Sequence, residues 1–407
     1  MPCRRRTLGL REPPIPGQTC TVKALVFERR EARYAAAAVA SRMLPGAGAS
    51  VGPLKLTNIE PPDLPGDDWL RVTPRLTGIC GSDLSTIDGH SSGYFDSLVS
   101  FPFVPGHEVV GTTADGARVA LEPVLGPESR GEAPAFEGAA PGDGTDYGYL
   151  LSGSIDDGIQ VGFCSSTGGG WGEELVAHRS QLHAVPDSVT DEDAVMLEPA
   201  AGGVHAAAKA KVDGGVVLVM GAGTMGLVTI AALRKYTNAE TIIAVAKYPI
   251  QKRFASELGA DVVVGPSETA RAVRRITGCR MIGDDLSGGA DVTIDAIGNA
   301  ASIQQAIGVT RPRGRVLMVG MPGKVNVDLT GLWHRETELV GAYTYGTDEW
   351  VDGTRVSSFE RALELVGDAG LGRLVSARYP LDRYKDAITH AAQAGQRGAI
   401  KVVFDQS

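Results

Sequence analysis

A glycine pattern between an apolar run and a helical run is the feature that most constrains this fold. The run Val-Val-Leu-Val-Met over 216–220 is followed directly by Gly221-Ala-Gly-Thr-Met-Gly226, and a helical pattern extends from Thr224 to about Tyr236. In such a strand–turn–helix, the first glycine permits the turn, the second lets a phosphate approach the backbone, and the third lets helix and strand pack closely. The pattern predicts a dinucleotide-binding turn. Its expected contacts are Gly221, Gly223, Thr224, Met225 and Gly226.

Short apolar runs alternate with helical stretches through the same part of the chain. Strands are expected over 241–246, 261–264, 291–296 and 315–319, with helices between them. This alternation is typical of repeated βαβ units around a doubly wound parallel sheet. We therefore assign residues 199–343 to a Rossmann-type dinucleotide-binding domain and the chain to the α/β class.

The residues before position 199 have a different texture. Short β-rich runs alternate with glycine and proline over 22–198, which indicates a mostly antiparallel β domain. Closely spaced prolines interrupt any period over 1–21, so we expect a disordered tail there. The segment 344–407 ends on the apolar run Ile400-Lys-Val-Val-Phe404, and we expect it to complete the β domain. At 407 residues the chain is long enough for two such domains.

Charge and cysteine usage exclude several classes of partner. The net charge of -9 and the lack of a long basic run argue against nucleic acid. No stretch reaches the roughly 18 continuous apolar residues of a membrane span. Five scattered cysteines argue against a disulfide framework and suit a reducing compartment, so we expect a cytoplasmic protein that does not act at a membrane.

The end of the second expected strand bears on the choice of dinucleotide. NAD sites usually place an acidic residue there to accept a hydrogen bond from the ribose 2'-hydroxyl. Here the run ends on Ala246 and Lys247, and the lysine side chain suits a 2'-phosphate, so NADP is favoured over NAD. Loops after later strands, with Gly298, Gly320 and Met321, are expected to contact the same cofactor.

Two short motifs supply donors for a metal ion. Cys80 lies in Gly-Ile-Cys-Gly-Ser-Asp, and His107 and Glu108 lie in Pro-Gly-His-Glu. Zinc accepts thiolate, imidazole and carboxylate ligands, and a catalytic zinc keeps one position open. Glu198 is a fourth potential ligand because it falls at the boundary of the two expected domains, where a hydride acceptor has to meet the metal. The residues leave open which glutamate is the resting ligand.

Taken in order, these motifs resemble the zinc-containing medium-chain dehydrogenase/reductase, or alcohol dehydrogenase, superfamily, of the polyol, glucose and threonine dehydrogenase type. The resemblance covers nearly everything after residue 21. It implies a GroES-like catalytic domain, a Rossmann domain and one catalytic zinc held by Cys80, His107 and either Glu108 or Glu198, which exchange during turnover. Ser82 is implied as the first proton acceptor. A homodimer or homotetramer is the family expectation.

The sequence departs from many such relatives in two places. They carry a second, structural zinc on four closely spaced cysteines, whereas residues 123–160 contain no cysteine, so we predict no structural zinc. Relatives of the polyol and threonine type often place a histidine five residues after the ligand cysteine, where this chain has Ser85. The route of the proton beyond Ser82 is therefore left open.

The predicted activity is hydride transfer between NAD(P) and a hydroxyl or carbonyl carbon of a small polar substrate, with zinc as the Lewis acid. A sugar, a polyol, a cyclitol and an amino alcohol all fit. One alternative is a zinc-free NADPH-dependent quinone or enone reductase, but the Cys80 and His107-Glu108 motifs count against it. Another is a non-catalytic dinucleotide-binding protein, against which the retained ligand set also counts.

Overall fold

The structure, a computed structural model, describes residues 21–407, so that the predicted tail over 1–21 falls outside the described residues except for its last position. The strands are β1 (Val22–Phe27), β2 (Leu54–Ile59), β3 (Trp69–Gly78), β4 (Val109–Thr113), β5 (Arg118–Leu121), β6 (Leu175–His178), β7 (Leu182–Ala184), β8 (Val216–Met220), β9 (Thr241–Val245), β10 (Val262–Val264), β11 (Met281–Ile282), β12 (Asp285–Leu286), β13 (Ala290–Asp295), β14 (Thr310–Met318), β15 (Glu338–Gly341), β16 (Thr347–Glu349), β17 (Arg355–Ser357), β18 (Val375–Tyr379) and β19 (Lys401–Asp405). The α-helices are α1 (Glu31–Ser41), α2 (Gly48–Val51), α3 (Gly81–Ile87), α4 (Asp191–Ala194), α5 (Leu197–Ala210), α6 (Thr224–Tyr236), α7 (Pro249–Glu257), α8 (Thr269–Thr277), α9 (Ala300–Val309), α10 (Thr330–His334), α11 (Ser358–Asp368) and α12 (Tyr384–Ala392).

The chain divides into two compact units. Unit 1 holds the residues up to Glu198 together with Val375–Ala394 and Lys401–Ser407. Unit 2 holds Pro199–Leu374 and Gly395–Ile400. Residues 344–374, which the sequence analysis grouped with the β domain, lie in unit 2. None of the helices in the described part of the chain is both long and apolar enough to span a bilayer.

Unit 1 is built on a seven-stranded sheet with the order β18-β19-β3-β4-β5-β7, and β6 pairs with β3. All of its pairings are antiparallel except that of β18 with β19. The last strand, β19, lies beside β3, with Val403 opposite Gly78. This register sets Lys401 close to the end of β3, where the first metal-donor motif begins.

Two helices that the sequence analysis did not anticipate follow β1. Helices α1 and α2 precede β2, which pairs antiparallel with β1. They are fixed to the turn after α3, because the Asp88 carboxylate accepts hydrogen bonds from the backbone N–H groups of Gly46 and Gly48 at 2.8 and 3.0 Å. The alanine-rich run of α1 is a strong helix former, and its helical signal was available in the sequence.

Unit 2 contains a six-stranded parallel sheet with the order β10-β9-β8-β13-β14-β15. The chain enters at β8, moves outward through β9 and β10, and returns to the other side of β8 with β13. Consecutive residues of β8, such as Val217 and Leu218, are fully buried, which shows that both faces of the sheet are covered. This is the doubly wound sheet that the alternation of strands and helices predicts, with its switch point between β8 and β13.

Candidate active site

Cys80 lies just beyond the end of β3 and forms the N-cap of α3. Its backbone N–H donates to Asp83 Oδ2 at 2.9 Å, so the carboxylate of α3 closes the first turn of its own helix. The preceding residue, Ile79, donates its N–H to Val402 O of β19 at 3.1 Å. The thiol is thus carried on a turn that is held by the helix on one side and by the terminal strand on the other.

His107 and Glu108 directly precede β4, which lies antiparallel beside β3. A glycine in each motif is required by its surroundings. A Cβ at Gly78 would lie 1.7 Å from Glu108 Oε2, and a Cβ at Gly106, which has a φ of +97°, would lie 2.3 Å from Trp171 Cδ1. Gly78 therefore makes room for the Glu108 donor, and Gly106 makes room for the Trp171 ring beside His107.

The two motifs bring three different donors together. One ligand atom each of Cys80, His107 and Glu108 lies within 4.8 Å of the other two, and both His107 and Glu108 are buried. Ligands on a tetrahedral zinc are about 3.5 Å apart, given bonds of about 2.0–2.3 Å, so a small adjustment would bring the three onto one ion. The donor set of thiol, imidazole and carboxylate fits zinc.

The second nitrogen of the histidine supports the same assignment. His107 Nδ1 lies 3.5 Å from Asp83 Oδ1, and neither buried atom has a hydrogen-bond partner among the described residues. A carboxylate facing the other ring nitrogen is the usual support of a metal-binding histidine. Burial disfavours the imidazolium, but the Asp83 carboxylate and the Cys80 thiol outweigh it and hold the pKa of His107 well above its ordinary value.

Glu198, the alternative ligand, is in the first turn of α5 and is not part of the cluster of three. The pKa of its carboxyl group is raised to about 7, chiefly because burial removes hydration. The charges of Glu108 and Asp83 contribute to this rise, whereas His107 and Lys401 act in the opposite direction. Glu198 therefore shares the electrostatic field of the cluster.

Lys401 is a residue of the candidate site that the sequence does not predict. Its side chain is 2% exposed, and its ammonium group forms an ion pair with Glu108 Oε2 and donates to Ile79 O at 3.2 Å. Burial lowers the pKa of Lys401, but Glu108, Cys80 and Glu198 together raise it above its ordinary value. The available signal was a lysine inside the otherwise apolar run over 400–404.

Ser82 is the second residue of α3, next but one to the candidate ligand Cys80, and is partly buried. Its carbonyl oxygen accepts a hydrogen bond from Thr86 Oγ1 at 3.0 Å, within the helix. Ser85 lies one helical turn further along α3 and is also partly buried. The helix thus fixes the backbone beneath both hydroxyl groups.

The glycine turn of unit 2 has the steric requirements that its pattern predicts. Gly221 has a φ of +93°, which favours glycine. A Cβ at Gly226 would lie 1.8 Å from Gly221 O, so α6 can pack onto the turn only with glycine there. A Cβ at Gly223, the N-cap of α6, would meet no atom within 4 Å, which leaves that backbone open to a ligand. Thr224 and Met225 begin the helix.

The other predicted cofactor contacts follow the carboxyl ends of neighbouring parallel strands. Ala246 and Lys247 follow β9, and Lys247 is exposed. Gly298 follows β13 and Gly320 follows β14, and a Cβ at Gly298 would lie 2.6 Å from Gly320 O. Met321, the next residue, is 40% exposed. The carboxyl edge of the sheet therefore brings these residues to the side where α/β proteins bind ligands.

Two family models match the chain. A model of the alcohol dehydrogenase GroES-like domain matches residues 66–187. A model of the zinc-binding dehydrogenase matches residues 224–358. The first confirms the predicted GroES-like fold of the β domain, and the second covers the glycine turn and most of the parallel sheet.

Known proteins are similar over most of their length. Sorbitol dehydrogenase of Bacillus subtilis (strain 168) is 26% identical over 357 residues, which cover 84% of this chain and 91% of that protein. L-idonate 5-dehydrogenase of Vitis vinifera is 27% identical over 372 residues, with coverages of 86% and 92%. The crystal structure of 2R,3R-butanediol dehydrogenase from Bacillus subtilis superimposes with a TM-score of 0.67 at 22% identity, covering 95% of this chain and 100% of that one. That last likeness shows a shared fold.

Proposed function

The chain belongs to the family of zinc-type medium-chain alcohol dehydrogenases, and on that premise we propose that it interconverts a secondary alcohol of a polyol and the corresponding ketone with a nicotinamide dinucleotide. The observation that carries the proposal is the convergence of Cys80, His107 and Glu108 in a chain that also has the open turn at Gly223. The three donors suit a metal ion that activates an oxygen, and the open turn suits a pyrophosphate.

A single zinc ion would be held by Cys80 and His107, with Glu108 as the third protein ligand and Glu198 as the residue that exchanges with it. When bound, zinc acts as a Lewis acid that acidifies a hydroxyl group and polarises a carbonyl. Asp83 orients His107, and Lys401 balances the charge of Glu108. The absence of cysteine from 123–160 supports one zinc per chain, without a structural second ion.

The remaining steps fall to the chain and the cofactor. When bound, the nicotinamide dinucleotide would supply the chemistry of hydride transfer. The part of Ser82 would be to move the proton: its Oγ would accept the hydroxyl proton of the substrate as it releases its own proton towards solvent, and the same relay would run backwards in the reduction. This assignment rests on the place of Ser82 in the first turn of α3, two residues after Cys80.

NADP is the proposed cofactor in preference to NAD. The segment that leaves β9 carries Ala246 and Lys247, with no carboxylate to accept from a ribose 2'-hydroxyl. Lys247 is exposed, with its ammonium group 5.4 Å from the ring centre of Tyr248, and a lysine at the end of this strand suits a 2'-phosphate. A polyol substrate is favoured over a cyclitol or an amino alcohol by the relatives named for sorbitol and L-idonate. The proposal also keeps the expectations of a homodimer or homotetramer and of a cytoplasmic location.

Zinc content tests the proposal first. We expect elemental analysis of protein purified without added metal or chelator to give one zinc per chain in the wild type and none in Cys80→Ser, because the thiolate is one of three ligands. Cys279→Ser is the matched control, since it removes a partly exposed thiol from unit 2, and it should keep the zinc.

Activity should follow the metal. With a panel of alditols and aldonic acids, the wild type and Cys279→Ser should reduce NADP faster than NAD, and Cys80→Ser should be inactive. Zinc-free wild-type protein that binds NADPH and reduces quinones or enones would replace the proposal by the zinc-free reductase. Protein that binds dinucleotide and zinc but turns over none of these substrates would indicate a binding protein.

A further inference from the structure

A chain of three buried polar side chains lies in unit 2, and none of the roles assigned above uses it. His205 Nδ1 lies 2.9 and 3.0 Å from the two carboxylate oxygens of Asp348. The ring nitrogen is the donor, because a carboxylate only accepts. Ser358 Oγ donates to Asp348 Oδ2 at 2.6 Å. The three residues are 8%, 5% and 0% exposed, so water does not replace these bonds.

Stability alone does not explain such a network. Buried polar groups lose their hydration, and well-packed apolar residues of the same volume often give a protein that is as stable or more so. What a network of directed bonds supplies is a defined arrangement of the elements that it joins. The elements joined by His205, Asp348 and Ser358 are α5, β16 and the first turn of α11.

The segment between β15 and β16 is held by this network on one side. Ser358 N–H donates to Gly346 O at 2.8 Å, and Gly346 N–H donates to Ser358 Oγ at 3.3 Å. The buried ring of Tyr345 packs edge-on against Phe359, with ring centres 4.7 Å apart. Residues 345–348 are therefore clamped onto the N-terminus of α11.

Helix α5 holds the same segment on the other side. His205 contacts Asp348, and Gly202, one turn earlier on the same face of the helix, approaches Thr344. A Cβ at Gly202 would lie 3.6 Å from Thr344 O and 2.9 Å from Met225 Cε. Met225 belongs to the glycine turn and its helix, so α5 packs against both the turn and the Thr344 segment.

Thr344 has a strained backbone. Its φ of +52° lies in the left-handed region, where a β-branched residue is a clear outlier. The other non-glycine residues with positive φ in the described chain, Lys211, Arg313 and Glu336, are not β-branched. Such strain persists only where the surroundings enforce it, and the clamp around 345–348 is what enforces it here.

The position of Thr344 in the sheet indicates a function for its strained backbone. The segment leaves β15 at Gly341, at the same carboxyl edge as the loops of Gly298 and Gly320. A dinucleotide on a doubly wound sheet places its adenosine half over the first strands and its nicotinamide half over the strands beyond the switch point. These are β8 to β10 and β13 to β15, respectively, so the Thr344 segment belongs to the nicotinamide half.

We propose that His205 is a positioning residue which, through Asp348 and Ser358, holds the Thr344 backbone in the strained conformation that receives the nicotinamide half of the dinucleotide. The inference rests on the proposed function, because it requires that the chain bind such a cofactor. It adds a part of the site that lies behind the contact surface and carries no direct contact itself.

Binding of whole and truncated cofactors tests it. The probes are NADPH, NADH, ADP-ribose and ADP-ribose 2'-phosphate, the last two of which lack nicotinamide. For His205→Leu we expect the Kd of NADPH to rise by about tenfold or more, because relaxation of Thr344 has to be reversed on binding. The Kd of ADP-ribose 2'-phosphate should stay within about twofold of the wild type, because its site lies on the other half of the sheet. His205→Asn, whose amide N–H stands in for Nδ1–H, should restore most of the NADPH affinity.

Two further variants separate positioning from folding. His205→Leu leaves the buried Asp348 carboxylate without its histidine donor, so the double variant His205→Leu/Asp348→Leu, which places an apolar contact there instead, should show the same selective loss. Thr293→Val is the matched control, because it removes the buried 2.7 Å bond to Thr310 in the same unit, and it should bind every probe as the wild type does.

Equal loss of all probes, or unchanged NADPH affinity in both leucine variants, overturns the inference while leaving the proposed function standing. A wild type that binds none of the four probes overturns both together. A wild type that binds all four but has no dehydrogenase activity removes the proposed reaction and still allows the positioning role to be read from the binding data.

Discussion

At the scale of single residues, unit 1 pairs the buried carboxylate of Glu108 with the buried ammonium group of Lys401. Cys80, His107 and Glu108 could be predicted from the sequence as candidate ligands because each lies in a short motif. Lys401 could not be placed there, because its contact with Glu108 depends on the register of β19 against β3. Residue spacing predicts donors that are close in sequence. A buried counter-ion on a distant strand can be identified only once the fold is known.

Removal of that counter-ion should be costly. We expect Lys401→Met to lower the free energy of unfolding by about 3–5 kcal/mol, because it leaves the Glu108 carboxylate buried without its partner. Urea unfolding followed by tryptophan fluorescence measures the change, since Trp171 is fully buried in the same unit. The double variant Lys401→Met/Glu108→Gln should recover most of the loss. A single variant as stable as the wild type would contradict the role of Lys401 as counter-ion.

At the scale of elements, agreement between sequence and structure is closest where strands and helices alternate. The predicted strand over 216–220 and the predicted helix over 224–236 match β8 and α6. Both have a clear hydrophobic period and a glycine turn that fixes their boundary. Helices α1 and α2 were not predicted because the surrounding sequence is rich in β-formers, although the alanine run of α1 favours a helix.

The glycine turn makes a matched pair of variants possible. Gly226→Ala should destabilise the protein by about 1–3 kcal/mol, because its Cβ would fall 1.8 Å from Gly221 O. Gly223→Ala should fold like the wild type, since its Cβ meets no protein atom within 4 Å, yet bind NADPH at least about tenfold more weakly. Thermal unfolding and fluorescence titration measure the two effects. Normal NADPH binding by Gly223→Ala would show that the pyrophosphate does not approach this turn.

At the scale of the whole molecule, the two units differ in how far sequence could predict them. The parallel sheet of unit 2 follows from right-handed βαβ connections, which allow few strand orders. The antiparallel sheet of unit 1 takes strands from both ends of the described chain, and its order depends on contacts that no local pattern encodes. The sequence also did not predict that residues 344–374 belong to unit 2, because their contacts with α5 join residues that are distant in sequence.

The buried carboxyl group of Glu122 should contribute to the pH dependence of global stability. Burial raises the pKa of Glu122 above its ordinary 4.5, and His183, at 2.6 Å, only partly offsets this. A raised acid contributes stability that is fully present below 4.5 and lost as pH rises through the folded value. Because glutamine resembles the protonated acid, Glu122→Gln should gain stability relative to the wild type as pH rises from about 4 to about 8.

Chemical unfolding at a series of pH values measures that difference directly. Glu132→Gln is the control, since Glu132 is an exposed glutamate of the same unit and should leave the pH profile unchanged. A constant difference between Glu122→Gln and the wild type across the series would show that Glu122 ionises normally in the folded protein.

The position of β19 also has a consequence for how the chain is made. β19 is synthesised after every other strand of its sheet, and the whole of unit 2 up to Leu374 lies between β7 and the return of the chain to unit 1. At bacterial or eukaryotic rates of about 5–20 residues per second, β3 waits on the order of ten seconds or more for its neighbour. During that time Glu108 has no Lys401 beside it, so a metal ion captured while unit 2 is being synthesised would bind at a site that lacks its balancing charge.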